Sequence, residues 1–345
     1  MKGNACRKAA CAAMLLTLLW LAGPTAAQTP QLPYHGYPMD EAVALDGTIV
    51  RPPAEAAMEL LYALERERVR ETQPYAPAPA IWRIADADTT IYLFGTIHSL
   101  PIGFRWRNPG LEAVILRADS LLLESVEEET EGIDLMLGLA GRESMPPLQD
   151  RISPRYHAKL AAFQRTLPAA LVEQMDAMPT WAAALSVSAV RDMLAGEVSA
   201  QGADDWLEHH FRSVGKPVEA IEDSGSVVES INAVPEAAQR RMLEAALITP
   251  ARRREVLEGP AHAWARGEVG PDSPLIIMPE DLDPSSALAD PMLTRRNAAW
   301  VEELIARLDS RSGVILFAAG AGHFVGSGSV LEMLETRGVA IERVQ

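Results

Sequence analysis

The sequence predicts an α/β protein: a mixed, mostly parallel sheet flanked by helices, with a helical insertion covering the sheet edge. Three observations carry that expectation. Apolar runs near 91–97, 120–124, 217–221 and 314–319 are short and bounded by turn signals, as buried strands are. The first two are joined by a helix-like stretch opening at Asn108-Pro109, and a strand–helix–strand unit makes a sheet at least partly parallel. Each run also ends on an ionisable residue: His98, Glu124, Glu222 and His323. The carboxyl edge of an open α/β sheet is where ligands bind.

Residues 1–27 read as a cleavable signal peptide. Lys2, Arg7 and Lys8 form a basic lead, Ala9 to Ala22 is apolar, and Thr25-Ala26-Ala27 offers a small-residue cleavage site. The apolar run is too short for a comfortable membrane span. The expected product is therefore periplasmic or secreted, with no stable span after cleavage. Both cysteines, Cys6 and Cys11, lie in this segment, so the mature chain would have neither disulfides nor thiol chemistry. Net charge is −16 over 345 residues, which argues against a nucleic-acid partner, since phosphate binding needs a basic face.

Residues 28–79 form an N-terminal extension. A Pro-, Gly- and Tyr-rich lead-in runs to Pro53, and a helix from Ala54 to about Glu71 sets Met58, Leu61, Leu64 and Arg68 on one face. Pro74, Pro77 and Pro79 make a linker. The α/β domain spans 80–345. It opens on a hairpin, Trp82-Arg83-Ile84 and Thr90 to Phe94, around Asp-Ala-Asp, and Ser99-Leu100-Pro101 reads as loop. From Glu127 to about Arg212 no strand convinces, and helix breakers divide a helical insertion that includes 154–165, 181–194 and 204–212. A turn is expected at Asp223-Ser224-Gly225, then helices around 235–248 and 251–266, loop over 268–285 and a long helix over 293–308. A turn at 326–329, a helix to Arg337 and a last strand over 339–344 close the chain.

The chemistry-bearing pattern is a repeated tetrapeptide. Gly95-Thr96-Ile97-His98 and Gly320-Ala321-Gly322-His323 both follow apolar strands, which suggests two imidazoles meeting at one site. With Glu124, which reads equally as a helix cap or salt-bridge partner, they supply the two-histidine, one-carboxylate set that a divalent ion such as zinc, manganese or cobalt takes. Glu222 is a further ligand, a general base, or a solvated strand-end acid. Arg296, with Asn297 beside it in the first turn of a helix, is an ordinary surface arginine or a guanidinium suited to a substrate carboxylate or a tetrahedral oxyanion. Glu208-His209-His210 is not expected to form a metal cluster, because adjacent helix residues point about 100° apart. His35, His157 and His262 read as isolated packing or surface residues. Neither H-E-x-x-H nor G-x-S-x-G occurs, which disfavours zincin and serine-hydrolase chemistry.

This constellation resembles the TraB/GumN family, the group that also contains the Tiki metalloproteases. The resemblance rests on the hairpin leading to Gly95–His98 and Leu100-Pro101, on Leu121 to Ser125, and on Gly215-Lys216-Pro217-Val218 to Glu222. It continues at Arg296-Asn297 to Trp300 and from Gly320-Ala321-Gly322-His323 through Gly338. It implies a metal-dependent, hydrolase-like site and a fold akin to erythromycin esterases and ChaN-type haem-binding proteins. Gly326-Ser327-Gly328-Ser329 departs from it, standing where the family commonly has acidic residues. Three functions are compatible with these readings. The first is an exported metallohydrolase, in the manner of a peptidase, acting on a peptide or small molecule. The others are a haem- or metal-binding protein without turnover and a non-catalytic scaffold. The export reading has a direct check: the intact mass of the native protein should correspond to a chain beginning near Gln28, and a mass retaining Met1 to Ala27 would contradict it.

Overall fold

A computed structural model describes residues 42–43, 49–50, 54–126, 145–194, 199–248, 258–276 and 293–345. The expected signal segment, most of the lead-in, His35, the first residues of the helical insertion, residues 251–257 of one expected helix and part of the 268–285 loop lie outside them. Strands β1 (Ala42–Val43) and β2 (Ile49–Val50) form a two-residue antiparallel ladder, and helix α1 (Ala54–Thr72) follows.

The domain begins with the expected hairpin, β3 (Ile81–Ala85) and β4 (Thr89–Thr96). Asp86 makes the turn by accepting the Thr89 N–H on Oδ1 at 2.8 Å, the local self-bonding that favours aspartate in turns. Residues Ser99–Pro101, expected as loop, form strand β5. Helix α2 (Pro109–Arg117) is capped as its sequence requires: Asn108 Oδ1 accepts the Leu111 N–H at 2.8 Å, with proline at the first position. Its carboxyl end is closed by Lys216, whose ammonium donates to the carbonyls of Leu116 and Ala118 at 2.9 and 2.6 Å. Strand β6 (Ser120–Leu123) completes the strand–helix–strand unit.

Helices α3 (His157–Gln164), α4 (Ala169–Ala177) and α5 (Thr180–Leu194) make up the described part of the insertion. Strand β7 (Ser199–Gln201) is a correction to the expectation of no strand there; it pairs antiparallel with β5. Helix α6 (Ala203–Ser213) and strand β8 (Val218–Ala220) follow. The expected turn at Asp223-Ser224-Gly225 is instead the start of helix α7 (Ser224–Asn232), with Asp223 as its cap accepting the Ser226 N–H at 2.7 Å. Helices α8 (Glu236–Ile248), α9 (Gly259–Ala265) and α10 (Arg295–Ser310) come next. Then come strand β9 (Gly313–Gly320), helix α11 (Val330–Thr336) and the short strand β10 (Glu342–Arg343).

The six-stranded sheet has the order β10-β3-β4-β9-β6-β8. Strands β4, β9, β6 and β8 are mutually parallel, and β3 and β10 extend one side antiparallel. The four expected strands are therefore neighbours with their carboxyl ends on one edge. Period-two alternation sorts each strand to two cores. Tyr92, Phe94, Leu121, Leu123 and Leu316 face α2, α6 and α9. Ile91, Leu93, Leu122, Ile315 and Phe317 face Trp300, Val301 and Leu304 of α10 and Val330 and Leu334 of α11.

The insertion has its own core, in which Leu148, Leu160, Met175, Trp181 and Val187 pack with Leu243 and Leu247 of α8. The helical unit is thus assembled from two stretches, one following β6 and one following β8. Buried Arg151 ties the first stretch together by donating to the carbonyls of Pro146 and Met178 at 2.6 Å. Helix α1 also differs from the apolar face expected of it. Leu64 is exposed while Glu65 and Val69 are buried. The reason is ionic: Arg68 donates to Glu65 at 2.7 Å and to Glu258, before α9, at 2.9 Å, which turns this face inward. No described helix is long and apolar enough to cross a membrane.

Gly95 is one of the two glycines on which this edge depends. A Cβ there would stand 2.9 Å from Ala321 Cα, so the first motif's glycine admits the second motif's turn. Gly95→Ala should lower stability by roughly 1–3 kcal/mol, the usual cost of overpacking. Urea unfolding measures this, and a midpoint equal to the parent's would contradict the contact.

Candidate functional site

Strands β4 and β9 pair in register from Thr89↔Gly313 to Thr96↔Gly320. Both histidines consequently leave the same sheet edge, His98 two residues past β4 and His323 within a single 3-10 turn, Ala321–Phe324. Glu124 follows β6, and the Glu222 N–H donates to the Glu124 carbonyl at 3.1 Å, one residue beyond β6 and two beyond β8.

His323 is buried. Its Nδ1 lies 2.5 Å from Asn297 Oδ1, and Asn297 Nδ2 donates to the Gly328 carbonyl at 2.8 Å. Because the amide nitrogen is used as a donor, Asn297 must accept from the ring, so Nδ1 carries the proton and Nε2 presents a lone pair. That lone pair is 3.9 Å from Glu124 Oε1. The glycines of the Gly326–Ser329 stretch have a purpose here: Gly328, at φ +73°, turns its carbonyl to Asn297. Burial lowers the imidazole pKa to about 4, opposed by the Glu124 charge and reinforced by Arg296 and His98, so the ring is neutral. Trp300 lies against it with ring centroids 4.4 Å apart.

Glu124 is engaged on both oxygens. Oε1 accepts the Gly320 N–H at 2.6 Å and Oε2 accepts from Arg296. Burial alone would raise its pKa. With His323 neutral, the Arg296 and His98 charges and the Gly320 N–H reverse that and hold the carboxyl below its ordinary value, hence ionised. Arg296 also donates from Nε to Glu222 at 2.9 and 3.1 Å, and Trp300 Nε1 donates to the same carboxylate at 2.9 Å. Glu222 is therefore occupied on both oxygens by Arg296 and Trp300.

His98 is held differently. Its Nδ1 is 2.7 Å from Asp204 Oδ2, in the first turn of α6, and the ring keeps nearly half its surface exposed. Burial works against its charge, but the Asp204 hydrogen bond and charge, with Glu124 and Asp205 further off, hold its pKa above the ordinary imidazole value.

The three side chains expected as ligands converge on Gly320. A Cβ on that glycine would lie 3.3 Å from Glu124 Oε1, 3.4 Å from His98 Nε2 and 3.7 Å from His323 Cδ2. In kind, two imidazoles whose Nδ1 is hydrogen-bonded and one ionised carboxylate fit a borderline divalent ion. In spacing the set is open: two tetrahedral ligands at about 2.0–2.1 Å from one zinc ion stand roughly 3.3–3.5 Å apart, against the 3.9 Å between Glu124 and His323. Among the described residues no three His, Cys, Asp or Glu side chains form a ready-made ligand group.

Of the other residues weighed, Glu208 pairs with Arg212 at 2.8 Å and His210 stacks on Trp206, so that triplet points in different directions. His262 is not isolated: its Nδ1 is 2.6 Å from the Tyr75 hydroxyl. Sequence reasoning missed Asp204 as the partner of His98. It also missed Trp300 as the donor to Glu222. Nothing local marks the first; the pair is made by β5 meeting β7.

A family model described as the TraB/PrgY/gumN family matches residues 80–343. No curated protein and no solved structure matches the chain.

Asn297→Ala should leave a buried ring N–H and the Gly328 carbonyl unpaired, and so lower stability by about 1–3 kcal/mol. Denaturant titration gives the value, and a change near zero would mean that Asn297 does not hold His323.

Proposed function

The chain belongs to the TraB/PrgY/gumN family, and we propose that it is an exported metal-dependent hydrolase, with His98, Glu124 and His323 holding a divalent ion and a peptide or small molecule as substrate. The observation that carries this reading is the convergence of those three side chains on the Cβ-less face of Gly320. Zinc, manganese and cobalt all suit such a donor set. When bound, the ion would lower the pKa of a water and polarise an acyl carbonyl.

The protein's own residues supply the rest. His323 is delivered neutral, its Nδ1 proton committed to Asn297 and its Nε2 directed at Glu124. Asn297 acts through that ring and is a positioning residue. Arg296 brings a fixed cation against Glu124, suited to stabilising negative charge that develops on an amide or ester in the transition state. Glu222 and Trp300 hold the guanidinium in place, with Arg296 Cζ 4.8 Å above the Trp300 ring. A proton-accepting role for Glu222 would require it to leave both partners, so its first role in this reading is to orient Arg296.

Metal analysis of the purified protein, together with turnover of a peptide and ester library with and without chelator, tests the proposal. His98→Ala and His323→Ala should each lose bound metal and all turnover while keeping the parent far-ultraviolet circular dichroism. Glu222→Gln should lose turnover more than metal. Gly320 has a φ of −50°, which alanine tolerates, so Gly320→Ala should fold and yet fail to bind metal, its methyl filling the space between the ligands. Metal retained at parent affinity in both histidine variants would refute the assignment. Metal bound without any turnover would leave a binding protein on the same residues.

A further inference from the structure

We propose that Asp204 is the positioning residue for His98, fixing through its hydrogen bond which ring nitrogen faces Gly320. The inference rests on the reading of His98 as a ligand, and its test is built to fail separately. The two histidines face opposite problems. His323 is packed under Trp300 and needs only a neutral amide to set its tautomer. His98 stands on a loop with a half-exposed ring, so packing does not orient it.

What orients it is the segment 199–205. β7 pairs with β5 so that Ser99 lies opposite Gln201, and the Ala203 N–H donates to the Ile97 carbonyl at 3.0 Å. Gly202 then approaches so closely that a Cβ would stand 2.4 Å from the His98 carbonyl, room that only glycine leaves. The segment thus grips the backbone on both sides of His98, and it delivers Asp204 Oδ2 to within 2.7 Å of Nδ1. With that nitrogen committed to a carboxylate, Nε2 is the atom left to face Gly320 and Glu124.

A second observation is independent of this docking. Asp204 Oδ1 is buried with no hydrogen-bond partner among the described residues, and Asp205 stands next to it in the same turn. A carboxylate with one oxygen buried and unpaired, beside a second acid, is unfavourable for folding. A serine or asparagine would serve the helix terminus without that penalty. The gain from a carboxylate lies on the His98 side, where a carboxylate–imidazole pair raises ligand basicity and fixes ring direction.

The test uses the full chain, cobalt(II) as the only added ion, and ring proton–nitrogen spectra of the metal-free protein. The parent should show a downfield His98 Nδ1–H protected from exchange. Asp204→Ala should lose that proton and weaken cobalt binding about 10–100-fold, with the His323 ring signals unchanged. Asp204→Asn, which still offers an acceptor oxygen, should keep the proton and recover most of the affinity. Retention of the protected His98 proton in Asp204→Ala overturns the proposal, whatever cobalt does. If Asp204→Ala fails to fold, the Asn variant decides: the proton retained supports the role, and the proton lost in a folded protein overturns it. A parent that binds no cobalt refutes the metal reading alone, because the ring proton still decides the role of Asp204.

Discussion

The parallel pairing of β4 with β9 is the constraint on which the rest of this molecule depends. It joins segments more than 200 residues apart, and the eight-residue register from Thr89↔Gly313 to Thr96↔Gly320 leaves no freedom in where the two motifs emerge. A one-residue slip would exchange every inward side chain for an outward one, placing Leu93 and Phe317 on the wrong core. Register is therefore enforced by burial along the whole strand, and the site inherits that rigidity. The glycines then act locally. Gly95 admits the turn that carries His323, and Gly320 leaves the space around which His98, Glu124 and His323 stand.

Electrostatics sets what this edge can hold. Glu124 and Glu222 end adjacent strands, β6 and β8. Arg296 joins the two carboxylates by donating to both, and the Gly320 amide and Trp300 indole fill further acceptor sites. Buried ion pairs are poor devices for stability, since desolvation offsets most of their attraction. Their value lies in geometry: the Glu124 carboxylate is kept ionised and cannot rotate without breaking a bond at each oxygen. Neutral His323 opposite it completes a pair of electron donors with no proton between them, an arrangement suited to a cation.

Much of this was legible in the sequence because it depended on short-range physics. Apolar runs with turn residues at their ends marked the four parallel strands, Asn108-Pro109 marked the start of α2, and the repeated tetrapeptide marked both histidines. What escaped depended on meetings between distant segments. Ser199–Gln201 has no β-branched or aromatic residue and so no strand signature, and it becomes β7 only because β5 is there to pair with it. Asp204, as the partner of His98, was invisible for the same reason. Ser224 and Gly225 read as a turn, yet an aspartate before them is also a helix cap, and the helical core they join decided between the two. The buried face of α1 differs from the expected one because Arg68, paired with Glu65, finds a second carboxylate in Glu258, 190 residues away.

The two-part construction of the helical unit bears on how independently it packs from the sheet. Its halves follow β6 and β8, the strands that end in Glu124 and Glu222, and they share a core separate from the two that sandwich the sheet. Cores that do not interpenetrate tolerate change independently, because coupling between substitutions falls away once side chains no longer touch. The helical unit can therefore be remodelled at residues such as Leu160 or Met175 without disturbing the register of β4 and β9. The register of β4 and β9 thus fixes the sheet edge, while the helical unit packs on a core of its own.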